Sequence, residues 1–148
     1  MNIEVFVLCD AATDNHGKLN ILGAFDTVWA PNTPVVHPFC AIALRIRFLR
    51  IEEGVHPLRI NFVDEDGKNI MPAIDGNINI KFSTDDESVA ANLIVNVQGL
   101  RLEKFGSYSI DLAINGRHMA SLPLFLKQVK LPPGQQGGQS YQTPPQGG

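Results

Sequence analysis

The sequence predicts an all-β fold: an antiparallel immunoglobulin-like β-sandwich of seven to eight strands, followed by a disordered tail. Three observations carry this. Apolar and polar residues alternate with period two through most of the first 130 residues, as half-buried strands require. Turn residues interrupt the alternation every eight to twelve positions, and no helical period is sustained anywhere. The last eighteen residues, Leu131–Gly148, hold four Pro, five Gly and five Gln and no charge, a composition that cannot bury enough apolar surface to offset chain entropy. The division is therefore a sandwich domain over 1–130 and a tail over 131–148. In the tail, Tyr141 and the Thr-Pro-Pro at Thr143–Pro145 are candidate anchors for a docking peptide.

In chain order, Asn2–Cys9 is apolar on both faces, as a strand covered on both sides would be. Asn15, His16 and Gly17 form a turn into a strand over Lys18–Trp29, with Asp10 and Asp14 in the first loop. Pro31, Pro34 and Pro38 break the chain. Cys40–Ile51 is expected to pair with Pro57–Asp64 as a hairpin across Glu52–His56. Asp64–Gly67 makes the next turn, and Lys68–Pro72 starts the strand after it. In Asn77–Phe82, Ile78, Ile80 and Phe82 point inward. Thr84 and Glu87 have capping-box spacing for a single helical turn. Asn92–Leu100 is a further strand. Tyr108, Ile110, Leu112 and Ile114 then alternate with polar residues, Asn115-Gly116 supplies a two-residue hairpin turn, and Ala120, Leu122, Leu124 and Leu126 return inward. Pro123 falls on the opposite face and cannot donate to a ladder, which places the last strand at an edge or a bulge.

Composition excludes several classes. The chain has 148 residues, is 44% hydrophobic and 18% charged, and carries a net charge of -3. A globular core is possible, and the basic excess of a nucleic-acid binder is missing. No apolar run reaches the length of a membrane helix. "MNIEVFVLCD" has no basic region or cleavage site of a signal peptide, so the expected location is cytoplasmic, with no membrane association. In that reducing compartment Cys9 and Cys40 are expected to be free, buried thiols.

Candidate chemistry is sparse. Asp64 and Asp66, Asp10 and Asp14, and Asp85, Asp86 and Glu87 are loop carboxylates that would hold calcium if their loops met at one end. Arg45 and Arg47 share a strand face, with Arg59 expected beside them and Glu52 and Glu53 close by. No aromatic residues interleave with these arginines, so a solvated outer face fits better than a nucleic-acid surface. His16, His37, His56 and His118 show no zinc-ligand spacing. A Cys-His dyad would need a thiolate that an apolar strand disfavours. Trp29 is expected to pack against Pro31 rather than present a platform. No nucleophile, phosphate-loop or metalloprotease motif is present, so no catalytic, cofactor-binding or metal residue is assigned and no cofactor is expected.

Leu102 and Tyr108 have the spacing of the tyrosine corner in fibronectin type III and immunoglobulin-like sandwiches. That resemblance implies a hydrogen bond from the Tyr108 hydroxyl to backbone in Leu102–Lys104. "LCDAAT", "KLNILGAFDTVWA", "HPFCAIALRIRF", "INFVDEDGK" and "FGSYSIDLAINGRHMASLPLFL" together resemble a family of small uncharacterised bacterial proteins, a domain of unknown function, over about the first 128 residues. The resemblance brings no activity with it. The functional expectation is a non-catalytic cytoplasmic binding or assembly module with an unidentified protein partner. It would act through a sheet edge, the loops or the tail. The alternatives are a loop-carboxylate metal-dependent enzyme and a calcium-dependent, C2-like membrane-attachment domain. Self-association through the edge near Pro123 is a further expectation, motivated by Met119 and Phe125 on its outer face.

Overall fold

In a computed structural model, alternation along the chain becomes two facing sheets. The structure describes residues 1–130; the tail, with Tyr141 and Thr143–Pro145, lies outside the described residues. There are nine strands among them: β1 Asn2–Asn15, β2 Lys18–Ala24, β3 Thr27–Ala30, β4 Val35–Leu49, β5 Gly54–Val63, β6 Ile74–Ile80, β7 Ser88–Leu102, β8 Gly106–Ile114 and β9 Arg117–Gln128. One sheet has the order β2-β1-β4-β7 and the other β3-β9-β8-β5-β6. All neighbours are antiparallel except β3 and β9, which are parallel. The neighbours β1-β4-β7 and β5-β8-β9 reproduce the A-B-E and C-F-G orders of the immunoglobulin sandwich, with β6 added beyond C as in variable-type domains.

The count exceeds the expected seven to eight because Lys18–Trp29 is two strands. Phe25 and Asp26 carry the chain from one sheet to the other. Two-residue turns at His16-Gly17 and Asn115-Gly116 have positive φ at both positions, the twist that a tight hairpin needs.

Four local expectations are corrected. The segment Cys40–Ile51 is not a hairpin partner of Pro57–Asp64. β4 is saturated by β1 and β7, and a 3-10 turn at Arg50–Glu52 takes the chain across to the opposite sheet, so that both apolar faces meet from opposite sides. Lys68–Pro72 forms no strand; one isolated bridge, Val63 to Asn69, is all it contributes, and Ile70 and Met71 pack onto the core from a loop. Thr84 and Glu87 cap nothing. Ser83 instead donates its hydroxyl to Asp86 Oδ2 (2.6 Å), and the Arg50 guanidinium gathers the carbonyls of Ser83, Thr84 and Asp86. Asp10 and Asp14 lie on β1, which runs on to Asn15.

The core is the space between the sheets. β4 supplies Cys40, Ile42, Leu44, Ile46 and Phe48, all at 0% exposure, opposite Leu58, Ile60 and Phe62 of β5 and Ile110, Leu112 and Ile114 of β8. A second, smaller cluster sits on the outer face of β4. Cys9, Ala41 and Ala43 are buried there with Val7, Ala12, Leu19 and Ile94. The β1–β2 hairpin covers them, its tip held where Arg45 and Asn92 donate to the Gly17 carbonyl (3.3 and 3.1 Å). Asn2–Cys9 is thus apolar on both faces because it is covered on both. Cys9 lies opposite Ala41 on the outer face and Cys40 points into the core, so the two free thiols are separated by the sheet.

Candidate functional site

An open apolar seam runs along one side of the sandwich. At the crossover, the Phe25 N–H donates to the Leu8 carbonyl (2.9 Å) and the Phe125 N–H donates to the Asp26 carbonyl (2.7 Å). Beyond this staple the two edges part. β2 covers β1 only from Cys9 onward, and β3 covers β9 only from Phe125 to Gln128. Asn2–Leu8 and Arg117–Leu124 therefore have no strand on their outer sides. No backbone hydrogen bond joins β1 to β9 among the described residues.

Ladder alternation identifies the open groups. Because the Leu8 carbonyl faces Phe25, the N–H and C=O of Phe6 and the N–H of Leu8 face the seam. Because the Phe125 N–H faces Asp26, the N–H and C=O of Ser121 and the C=O of Pro123 face it from the other side. Pro123 occupies one of the few places in a sheet where a missing N–H costs nothing. Between the edges lies a cleft of about 380 Å³ lined by Val7, Leu8, Ala24, Phe25, Leu122 and Pro123, with Asp26 the one charged residue in the wall.

The residues singled out from sequence do not assemble elsewhere. Arg45 and Arg47 meet Glu4 on the outer face of the first sheet (3.1 and 3.2 Å), not Glu52 or Glu53. They also reach Asn92 Oδ1 and Ser88 Oγ. The Arg47 hydrogen bond holds the Glu4 carboxyl below the usual range. Arg59 is on the other sheet, because β4 and β5 are not neighbours; it forks onto Asp75 (2.7 and 3.2 Å). Three of the acidic groups are taken up by their own turns. Asp64 Oδ1 accepts from the N–H groups of Asp66 and Lys68, Asp14 from Gly17, and Asp86 from Ser83. Among the described residues, no three His, Cys, Asp or Glu side chains are placed to hold a metal ion.

A smaller cleft, about 120 Å³, lies at the β7–β8 corner between Glu65, Glu103, Lys104 and Tyr108. Its polar atoms have structural partners. The Tyr108 hydroxyl donates to the Lys104 carbonyl (2.5 Å) and accepts from the Lys104 N–H (3.1 Å), the bond expected of a tyrosine corner. Glu65 accepts from the Ser107 N–H (2.8 Å) beside Gly106, whose φ of +141° is a conformation that favours glycine.

The histidines serve the fold. Asn115 bonds His56 Nδ1 (2.9 Å) and the Glu52 carbonyl lies 2.6 Å from Nε2, an arrangement that ties the last hairpin to the β4–β5 turn. His37 packs on Phe25, and His16 sits in its turn. Burial pushes the Cys40 thiol up to about 11, and burial likewise raises Cys9. Neither supplies a thiolate.

Two surface expectations are corrected. Trp29 is 61% exposed and does not pack away against Pro31; the Lys127 ammonium lies 5.7 Å from its ring and 5.5 Å from that of Phe125. Met119 packs onto the core, because a register shift between Leu112 and Ala113 reverses the alternation at the start of β9. One cluster escaped sequence reading. Ser121 donates to Asp111 Oδ1 (2.6 Å) and lies 3.3 Å from His118 Nε2. Only the cross-strand pairing of Asp111 with Ser121 brings them together. Ser121 lies between Asp111 and His118, whereas in a nucleophile triad the histidine lies between the acid and the serine.

Among the described residues, no helix is long and apolar enough to cross a membrane. No curated protein matches the chain. The model of a family described as Family of unknown function (DUF6941) matches residues 4–127, which is nearly all of the sandwich, and the chain belongs to that family.

Proposed function

We propose that this protein is a non-catalytic binding module that takes a short extended segment of a partner protein along the β1–β9 seam. One juxtaposition supports the reading: unpaired backbone donors and acceptors at Phe6, Leu8, Ser121 and Pro123 flank an apolar cleft. Added strands are recognised in this way, with main-chain hydrogen bonds for affinity and a pocket for alternate side chains. The partner segment carries an apolar anchor for the cleft and, beside Asp26, a neutral or basic residue rather than an acidic one. Two buried, unbridged thiols fit work in the reducing cytoplasm.

Two variants at one position test this. Ser121→Pro removes the outward N–H; Ser121→Ala keeps it and controls for the loss of the bond to Asp111. With a segment captured by the full chain and resynthesised as a peptide, Ser121→Pro weakens binding at least tenfold and Ser121→Ala changes it little, while the Phe6, Leu8 and Ser121 amides gain exchange protection. A peptide that binds both variants equally, or protects amides elsewhere, overturns the reading.

A further inference from the structure

The opposite side of the same sheet ends on β7, and among the described residues no strand covers it. β7 pairs with β4 over its whole length, from Ser88 opposite Leu49 to Leu102 opposite Val35, and with no strand on its other side. Ladder parity again identifies the open groups. The Leu8 carbonyl turns away from β4, so Ile42, opposite Leu8, bonds toward β7 and Val95. Val95 therefore faces β4, and Asn92, Ile94 and Asn96 direct their N–H and C=O groups outward. Among the described residues, no backbone hydrogen bond takes these groups up.

Free edges in soluble proteins are blunted by charge, proline, bulges or shortness. The other free edges of this molecule show such devices. β1 has Glu4 within a register shift, and the open part of β9 has Arg117, a shift and Pro123. β6 is only 7 residues long. β7 is 15 residues long, and from Ser88 to Leu100 it contains neither a charged residue nor a proline; its irregularity is confined to Gly99, at positive φ near the far end. Its inner-face side chains Val89, Ala91, Leu93 and Val95 are only half-buried, leaving an apolar flank beside the open backbone.

We propose that β7 pairs antiparallel with β7 of a second copy of this chain about a two-fold axis, joining two four-stranded sheets into one of eight strands. The strand's charge selects this occupant. An uncharged segment set against itself meets no like charge, so two copies of this edge can approach without repulsion. A two-fold axis makes one strand its own complement. The fifteen residues of β7 fall short of the ~20–30 per side of a standard interface. The dimer is accordingly expected to be reversible.

Sedimentation equilibrium of the full chain tests this. From low to high micromolar protein, the mass rises from 16.2 kDa toward twice that value. Asn96 is exposed, lies near the middle of β7 and directs its backbone groups outward. Asn96→Lys puts a cation on the edge of each copy, and Asn96→Pro removes an outward N–H without touching the β4 ladder; both keep the native circular dichroism and stay at the monomer mass. In the wild type, exchange at the Ile94 and Asn96 amides slows with concentration while that at Phe6 and Ser121 does not, which separates this contact from the seam. A wild-type mass fixed at 16.2 kDa, a dimer that both variants retain, or uniform exchange overturns the proposal.

Discussion

β4 and β7 are neighbours of equal length, 15 residues each, paired along their whole extent, yet they meet opposite surroundings. β4 has a strand on either side, the second sheet below it and a hairpin above it. Its inner residues from Cys40 to Phe48 are at 0% exposure, and so are Ala41 and Ala43 on its outer face. Its charges, Arg45 and Arg47, lie outward and are paired with Glu4. β7 is at least as free of charge up to Leu100, but covered on one side only, and most of its apolar side chains are half-exposed. Apolar patterning alone therefore does not distinguish a strand buried by its own chain from one left for another molecule. What differs is the supply of neighbours, and that is set by topology.

The largest expected effect tests this contrast directly. Phe48→Ala opens a void in the core beside His56 and destabilises by about 3–5 kcal/mol, the range for a fully buried aromatic. Val95→Ala, on the strand next to it, removes side chain that already has solvent to one side and costs about 1 kcal/mol. Urea unfolding in dilute solution measures both. Equal losses would mean that β7 is as enclosed as β4 and that its edge is not available.

A smaller effect sharpens the comparison at the far end of β7, where the chain leaves the first sheet for β8. Tyr108 pins that corner through two bonds to Lys104, and the hydroxyl is the only part that Tyr108→Phe removes. The expected loss is about 1–2 kcal/mol, since the Lys104 N–H and C=O lose their shared partner. Faster amide exchange at Lys104 and at the end of β7, with exchange in β4 unchanged, would tie the loss to the corner.

How far these features were legible follows from the range of the interactions that make them. The tyrosine corner, the His16-Gly17 and Asn115-Gly116 turns, the inward set from Tyr108 to Ile114 and the edge position of Pro123 depend on neighbours a few residues away, and the sequence shows them. The crossover at Phe25–Asp26, the placement of β4 and β5 on different sheets and the pairing of Glu4 with Arg45 and Arg47 depend on contacts tens of residues apart. No local pattern encodes those. The hairpin expected for Cys40–Asp64 failed for this reason: a short polar connection reads the same whether it returns along one sheet or crosses to the other. The seam was half visible. Pro123 marked one edge, but the other edge belongs to β1, and only the fold brings the two together.

The smallest effect concerns the polar outer face of β4. Arg47 and Arg45 hold the Glu4 carboxyl below its ordinary value of 4.5, with the Arg47 hydrogen bond as the largest cause and burial opposing it. A carboxyl whose folded value is lowered contributes stability above the unfolded value and loses it as pH falls through the folded one. Wild type is therefore expected to melt slightly above Glu4→Gln at neutral pH, and the two curves to converge on acidification below about 4.5. Because the group is solvent-exposed, the difference is small, and added salt shrinks it further. The sign of the convergence is the useful readout. If Glu4→Gln instead falls away from wild type in acid, the carboxyl is not held by the arginines. The outer face of β4 would then be as unpartnered as the edge of β7, and the contrast between the two strands would rest on packing alone.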